Sequence, residues 1–288
     1  MKKNQHNCVS VLTCLAVLLA GCCCSAVMAA EKLPLWEAGV GVGAVALPAY
    51  KGSAIYRTFA APLPYFVYRG EIFRANRDGL RANLWQSDDW SADLSLGGAL
   101  PVRSSGTLRE GMRNLPPSME LGGVIEYDAY TTSGGSTIKL LLPIRQALAV
   151  EKSGIHRIGL LTLPTLRGSG RLNLSGKNYD WGVNVSANFA DRAYNGYYYD
   201  VSAANALPGR PVYRAEGGAA GITLFAGAKR RIGNWWLGGF VGGSNIGNAA
   251  FVRSPLVETH ANCYTGVSLI WIFDKSDTTV SVNADDDI

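Results

Sequence analysis

Long runs in which apolar and polar residues alternate constrain this chain more than any other feature. In the run 90–101, every second position from Trp90 to Leu100 is apolar or glycine, and mostly small or polar residues lie between. A period of two indicates a strand with one apolar and one polar face. The runs are about ten to thirteen residues long, whereas strands in soluble domains average about five or six. A tilted strand that crosses a bilayer needs about nine to eleven residues, so these lengths favour a membrane sheet.

Twelve segments carry this alternation. The two weakest are 72–84, which Arg77-Asp78-Gly79 interrupts, and 193–202, which is a run of tyrosines. The twelve predicted strands are 36–47, 56–68, 72–84, 90–101, 119–130, 136–149, 155–167, 179–189, 193–202, 217–230, 233–244 and 260–273. In lipid every backbone N–H and C=O must be paired, so strands can span only as a closed barrel. We therefore expect an all-β fold, a closed antiparallel transmembrane β-barrel of about 12 strands, with about 10–14 allowed.

The composition agrees with a sheet in lipid. Only 17% of the residues are charged and 34 are glycine. A disordered chain would have few apolar residues and a high net charge, so this composition disfavours disorder. No apolar stretch after residue 31 approaches the roughly eighteen residues of a membrane helix. A soluble β-sandwich or a lipocalin-like barrel is the alternative fold, which the length and number of the strands disfavour.

The first thirty residues predict export. Lys2 and Lys3 precede an apolar run over 9–21, and small residues follow, which is typical of a secretory signal peptide at 1–30. A second interpretation stays open, because Leu19-Ala-Gly-Cys22 resembles a lipobox in which Cys22 would be lipidated and become the mature N-terminus. The barrel is then expected over 31–273, in the outer membrane of a Gram-negative bacterium. An acidic periplasmic tail is expected over 274–288.

The connections between predicted strands alternate in length, with one exception. Short periplasmic turns and longer outer loops are typical of outer-membrane barrels. The short connections are 69–71, 151–154, 190–193 and 231–233, and the longer ones are 48–55, 168–178, 203–216 and 245–259. The segment 102–118 is long but falls on the side assigned to the periplasm. Either the alternation is out of phase there, or this segment has a function.

Ordered motifs resemble a known family over about 35–273. The motifs are Gly39-Val-Gly-Val-Gly43, Pro48-Ala-Tyr-Lys-Gly-Ser53, Pro62-Leu-Pro-Tyr-Phe-Val-Tyr-Arg-Gly70, Gly111-Met112, Met119-Glu-Leu-Gly-Gly123, Tyr198-Tyr-Asp-Val-Ser202, Pro211-Val-Tyr-Arg-Ala-Glu-Gly-Gly218 and Ser254-Pro-Leu-Val257. Their order and spacing resemble the MipA/OmpV outer-membrane family. The resemblance implies an outer-membrane barrel. It also implies a scaffold, since the name-giving member joins a lytic transglycosylase to a bifunctional penicillin-binding protein in a murein-synthesising complex.

The function expected from this resemblance is non-enzymatic docking of periplasmic peptidoglycan enzymes. The segments expected to dock them are 102–118 and 274–288, and the alternatives are a small-solute channel or a surface adhesin. The stripe that ends in Trp271 and Phe273 resembles the strand signal that the barrel-assembly machinery reads. Without residues 1–30 the formal net charge falls from +5 to +3, with 25 basic and 22 acidic residues, which is too little to indicate nucleic-acid binding.

The chain carries little that predicts chemistry. Ser254, Glu258 and His260 lie close in sequence, but no elbow motif would hold a nucleophile there. His156 and Cys263 add too few ligands for a metal site. We expect no catalytic, cofactor-binding or metal-ligating residues and no cofactor.

Several side chains have two interpretations. The basic run 229–231 lies at a turn, where it would extend to the membrane surface or bind an acidic partner. The tyrosines of 197–199 are expected in an interfacial girdle rather than at an adhesive tip. Other aromatic residues expected in such girdles are Trp85, Trp90, Trp181, Trp235 and Trp271. A narrow barrel favours a salt-bridged interior over an open channel, with Glu120, Glu126, Asp128, Arg145 and Arg157 facing inward.

Overall fold

The structure is a computed structural model, which describes residues 31–70, 73–76 and 79–282. The predicted leader at 1–30 with Cys22, and the aspartates at 285–287, lie outside the described residues, so lipidation of Cys22 stays a prediction. Within the described part, the regular secondary structure is strand except for one α-helix and one short 3₁₀ helix. None of the helices described has the length and apolar character that crossing a membrane requires.

The strands run in chain order with the following bounds: β1 Glu31–Pro34, β2 Trp36–Pro48, β3 Tyr56–Arg69, β4 Phe73–Asn76, β5 Gly79–Gln86, β6 Trp90–Ala99, β7 Ser118–Thr131, β8 Thr137–Glu151, β9 Gly154–Thr162, β10 Thr165–Leu174, β11 Lys177–Ala190, β12 Gly218–Ile232, β13 Trp235–Asn245, β14 Ala261–Lys275 and β15 Thr279–Val282. Helix α1 is Arg192–Tyr199, and the 3₁₀ helix is Ala203–Asn205. The all-β prediction is confirmed.

Strands β2 to β14 form one antiparallel sheet in which most neighbours in the chain are neighbours in the sheet. The last of these strands, β14, pairs with the first, β2. Strands β9 and β10 follow a single path, because β8 pairs with both and β11 also pairs with both. The path is interrupted at 163–164, where Pro164 has no N–H to donate to a ladder.

Three predicted strands differ from the structure. The segment 72–84 is a hairpin of β4 and β5, and the chain reverses at the interruption that its sequence carries. The segment 155–167 is divided between β9 and β10, and β10 continues to Leu174, so the long loop predicted at 168–178 is wrong. The segment 193–202 is mostly helix α1, so the strand prediction there is wrong.

The extra reversal at β4 and β5 decides on which end of the sheet each connection lies. The end at which β1 and β15 pair, here called the terminal end, carries the short turns 87–89, 132–136, 175–176 and 233–234. The opposite end, here called the loop end, carries 49–55, 100–117, 191–217 and 246–260. The segment 102–118 therefore lies with the other long connections, and its predicted placement at the same end as the short turns is wrong.

The two faces of the sheet differ as the alternation predicts. On β14 the side chains of Val267, Leu269, Trp271 and Phe273 are exposed, whereas Ile270 between them is buried. The face that carries the exposed apolar side chains is called the apolar face. The other, called the polar face, bears glycines and most of the charged strand residues. Of the five tryptophans predicted for an aromatic girdle, Trp85, Trp90, Trp235 and Trp271 are exposed near the terminal end, whereas Trp181 is half-buried.

Candidate functional site at the two ends of the sheet

The four long connections at the loop end, which also carries the short turn 152–153, pack into one cluster that we call the cap. Its core is apolar, and Phe251, Ile246 and Leu256 are at most 2% exposed. The ring of Phe251 stacks on Tyr199 with centroids 3.7 Å apart and planes 8° from parallel. Burial of several large side chains stabilises a defined arrangement. The cap is thus a folded unit rather than a set of independent loops.

Helix α1 places its tyrosines in this cluster. Asp191 is its N-cap, and Asp191 Oδ1 accepts a hydrogen bond from the Tyr194 N–H at 2.8 Å. The other oxygen of Asp191 accepts from the Leu160 N–H at 2.9 Å, which ties the helix to β9. Tyr199 is buried and Tyr198 is half-buried. The prediction that 197–199 belong to an interfacial girdle is therefore wrong, since they pack inside the cap.

Side chains join the four cap segments to one another and to the sheet. Asn262, at the start of β14, donates to the Ser53 carbonyl at 2.8 Å and accepts from the Gly52 N–H at 2.7 Å. Arg210 donates through Nη1 to the carbonyl oxygens of Leu108 and Glu110 at 2.7 and 2.8 Å. Each of these bonds connects segments that are far apart in sequence. The cap consequently depends on all four segments at once.

The cap tyrosines have raised pKa values because they are buried. Burial, with a smaller contribution from the charge of Glu258, raises the pKa of Tyr50 to about 12. Burial also raises the pKa of Tyr199 well above its usual value. Both hydroxyls donate to backbone carbonyls, Tyr50 to Leu256 at 2.9 Å and Tyr199 to Lys51 at 2.8 Å. These tyrosine side chains are therefore neutral, and their hydroxyls stabilise the cap by donating hydrogen bonds.

The residues weighed as a hydrolase-like set have structural contacts in the cap. Ser254 is buried and its hydroxyl donates to the Tyr199 carbonyl at 2.8 Å. Glu258 accepts through Oε2 from the Ala54 N–H at 3.0 Å and from the Ser53 hydroxyl at 3.3 Å. Across the ranges described, no group of three or more His, Cys, Asp and Glu could hold a metal ion.

At the terminal end, β1 and β15 form a separate two-stranded sheet, here called the terminal ribbon. The Leu35 N–H donates to the Thr278 carbonyl at 2.8 Å, and the Ser276 N–H donates to the Trp36 carbonyl at 2.9 Å. Arg69 fixes the ribbon to β3, because its Nη1 donates to the Pro34 carbonyl at 2.9 Å. The predicted tail 274–288 thus contains the end of β14 and all of β15.

Beside the ribbon, the polar face carries a buried charged cluster. Glu37 is completely buried and binds Arg69 at 3.0 Å and Arg231 at 2.5 Å. Lys229 and Arg231 both lie over the Trp236 ring, at 4.8 and 5.6 Å from its centroid. Lys229 and Arg231 therefore face the polar side of the sheet. The interpretation in which all three residues of 229–231 extend to the membrane surface is wrong.

Ion pairs continue along the polar face. Arg145 binds Glu120 at 3.4 Å and donates through Nε to the Ser95 hydroxyl at 2.8 Å. The other pairs are Arg171 with Asp180 at 2.7 Å and Lys139 with Asp128 at 3.0 Å. Glu126 is buried, whereas Arg157 and Asp128 are exposed. The predicted inward charges are therefore mostly in place and mostly paired, with Arg157 outside the set.

The fold and its two ends define a class of protein, an all-β chain whose large antiparallel sheet has an exposed apolar face and a charged face. The family described as MltA-interacting protein MipA matches residues 40–273, so the chain belongs to that family. The resemblance found from the sequence motifs is confirmed. No protein among the curated ones matches.

Among the solved structures that resemble this chain, two are similar over more than four fifths of it. CdiB from Acinetobacter baumannii is 10% identical, with a TM-score of 0.31, and the similarity covers 84% of this chain and 61% of that one. Outer-membrane expressed OmpT of Vibrio cholerae is 7% identical, with a TM-score of 0.34, and covers 85% of this chain and 100% of that one. The chain thus spans about three fifths of the length of CdiB.

Most of the family-like motifs outside the strands lie in the cap. Pro48-Ala-Tyr-Lys-Gly-Ser53 supplies Tyr50 and the backbone that binds Asn262, and Tyr198-Tyr-Asp-Val-Ser202 supplies the end of α1. Ser254-Pro-Leu-Val257 supplies two buried side chains of its core. Sequence reasoning found these motifs but did not predict that they meet in one cluster, because they are separated by up to about two hundred residues.

Proposed function

We propose that this chain is a closed outer-membrane β-barrel of twelve strands that docks peptidoglycan-synthesising and peptidoglycan-cleaving enzymes in the periplasm and catalyses no reaction itself. The observation that carries the proposal is MipA family membership, because the family description names interaction with a lytic transglycosylase. The terminal ribbon supplies a place for that interaction. The other partners expected are outer-membrane lipid, a penicillin-binding protein and the barrel-assembly machinery.

Strand pairing supports closure of the barrel. When β9 and β10 are taken as one path, each strand from β2 to β14 has a paired neighbour on either side. The shortest of these contacts is that of β3 with β4, which among the described residues pairs only Tyr68 with Ala75 and Arg69 with Arg74. An open sheet edge in lipid would leave unpaired backbone groups, each of which costs several kcal/mol. The exposed apolar face suits lipid, and the paired charges of the polar face suit the interior of a narrow barrel.

The lengths of the connections support an orientation. Outer-membrane barrels have short periplasmic turns and longer outer connections. Each described turn at the terminal end has five residues or fewer. Every long connection that the structure describes lies in the cap. We therefore place the terminal ribbon in the periplasm and the cap outside the cell. In this orientation 102–118 cannot bind periplasmic enzymes, and the docking segments are the ribbon and the tail 274–288.

The terminal ribbon suits a partner that adds a strand. Within the described residues, β1 pairs only with β15 and β15 only with β1, so each has one free edge. A free edge offers N–H and C=O groups to an extended peptide, which is a common mode of recognition. The ribbon is held by the Arg69 contacts to Pro34 and Leu35, so its edges are presented in a fixed position.

Affinity capture from native outer membranes tests the proposal. The full chain is expected to recover a lytic transglycosylase and a penicillin-binding protein, and deletion of 277–288 is expected to lose both. The control variant carries Leu207→Asp and Val212→Asp, two exposed residues of the cap, and is expected to recover them normally. Equal recovery with the deletion would refute docking at the ribbon, and no recovery with the full chain would refute the docking role.

A further inference from the structure

Three aromatic side chains lie side by side on the polar face, away from both ends of the sheet. They are Phe225 on β12, Phe240 on β13 and Tyr264 on β14, and we call them the aromatic belt. The Phe225 and Phe240 ring centroids are 5.4 Å apart with planes 29° from parallel. Those of Phe240 and Tyr264 are 6.4 Å apart with planes inclined at 59°. All three side chains are only half-buried, so part of each ring stays accessible.

Two glycines on the polar face leave room for two of these rings to lie close to the backbone. A Cβ at Gly242 would overlap the Tyr264 ring, and a Cβ at Gly266 would overlap the Phe240 ring. Gly242 pairs with Tyr264, and Gly266 pairs with Phe240, across β13 and β14. Because the missing side chains leave room, each of these two rings lies against the backbone and turns its other side away from the sheet.

Neutral polar groups border the aromatic belt. Asn184 is the cross-strand neighbour of Phe225, and its Oδ1 accepts from Arg167 at 3.1 Å, which leaves the amide NH₂ without a partner among the described residues. Within the same part of the chain, the Tyr264 hydroxyl also has no hydrogen-bond partner. Thr223 and Ser244 form the next pair towards the cap. Elsewhere the polar face is largely occupied by ion pairs, so this patch differs from its surroundings.

We infer that the aromatic belt binds a neutral saccharide inside the proposed barrel, with a sugar ring stacked on Phe240 and contacted from the side by the inclined ring of Tyr264. A pyranose offers an apolar C–H face to the rings, and the hydroxyls of a saccharide are hydrogen-bond partners for the free groups of Asn184 and Tyr264. An acyl chain would leave those groups unpaired, which costs about 1–3 kcal/mol for each buried group. The inference rests on the closed barrel of the proposed function and is independent of the docking role.

Saturation-transfer NMR on the full-length protein with maltotriose as the probe tests this inference. The protein is purified in dodecyldimethylamine oxide, a detergent that contains no sugar. Ring C–H protons of maltotriose are expected to receive saturation from the protein. Phe240→Leu and Tyr264→Leu are each expected to weaken binding by about threefold to tenfold, because a contact between aromatic surfaces and a ligand is lost. Tyr264→Phe keeps the ring and is expected to weaken binding less.

Phe273→Leu is the matched control, because Phe273 lies on the same strand but is exposed on the apolar face. It is expected to bind maltotriose as the unchanged protein does. Folded protein, identified by its faster migration in unheated SDS gels, that transfers no saturation to maltotriose would overturn the inference. Equal binding by all the variants would also overturn it. A chain that never shows the folded migration would instead contradict the closed barrel on which the inference rests.

Discussion

Glu37 on β2 and Arg69 on β3 form an ion pair of 3.0 Å in which neither side chain is more than 5% exposed. Arg231 on β12 binds the other oxygen of the same carboxylate. Arg69 also donates to the Pro34 carbonyl of the terminal ribbon. Glu37 thus connects the first long strand, its neighbour and β12 at the point where the ribbon attaches.

Replacement of Glu37 by alanine should destabilise the folded chain strongly. Two guanidinium groups would lose their shared partner, and removing one member of a buried pair costs about 3–5 kcal/mol. The free energy of unfolding, measured by urea titration in detergent, is expected to fall by that amount. The control is Glu151→Ala, which breaks the pair with Arg113, a side chain 67% exposed, and should cost at most about 1 kcal/mol. Equal losses would contradict the buried cluster.

Two adjacent glycines on β7 should differ sharply when each is replaced by alanine. A Cβ at Gly122 would overlap the Ile144 carbonyl oxygen of β8, whereas a Cβ at Gly123 meets nothing closer than the Asp93 carbonyl oxygen at 3.8 Å. Gly122→Ala is expected to lose at least about 3 kcal/mol or not to fold, because backbone must move. Gly123→Ala is expected to lose less than about 1 kcal/mol. Gel migration of unheated samples distinguishes these outcomes.

Arg210 should hold two segments of the cap together. Arg210→Ala removes two hydrogen bonds to the carbonyls of Leu108 and Glu110, and bonds from a charged donor contribute about 1.5–3 kcal/mol each. Limited proteolysis within 104–113 is expected to accelerate by at least about tenfold, since cleavage follows local opening. Arg214→Ala, at an exposed position nearby, should leave the cleavage rate unchanged. Identical rates for both variants would count against the contact.

The cap should open at alkaline pH. Tyr50 has a pKa of about 12 in the folded chain and about 10 when unfolded, because burial disfavours the phenolate. The unfolded state therefore loses its proton first, so stability is fully present below pH 10 and is lost as the pH rises towards 12. Tyr50→Phe is expected to reduce this dependence. Fluorescence and limited proteolysis across that range are the measurements, and a stability independent of pH would contradict the buried phenols.

Most of the sheet could be predicted from the sequence, because a strand with one lipid-like face must repeat every two residues. The runs 90–101 and 119–130 match β6 and β7 to within about two residues. The sequence does not predict the hairpin of β4 and β5, because Arg77-Asp78-Gly79 resembles an irregularity within one strand. Because this one reversal is absent from the prediction, 102–118 is predicted at the wrong end of the sheet.

The helix and the cap were harder to predict. Asp191 as N-cap and the spacing of Tyr194, Tyr197 and Tyr198 are signals of a helix, but the tyrosines also suit a strand near a membrane surface. The cap depends on contacts such as that between Tyr50 and Leu256, which lie far apart in sequence. No local pattern encodes such a contact, so the packing of the four long connections into one cap is seen only in the fold.

Photo-crosslinking in living cells tests the central claim, that the terminal end docks periplasmic enzymes and the cap does not. A photoreactive amino acid replaces Thr279 in the ribbon or Leu207 in the cap, both of which are exposed. We predict that the Thr279 position forms crosslinks to a lytic transglycosylase or a penicillin-binding protein and that the Leu207 position forms none. Crosslinks to these enzymes from Leu207 but not from Thr279 would contradict the account.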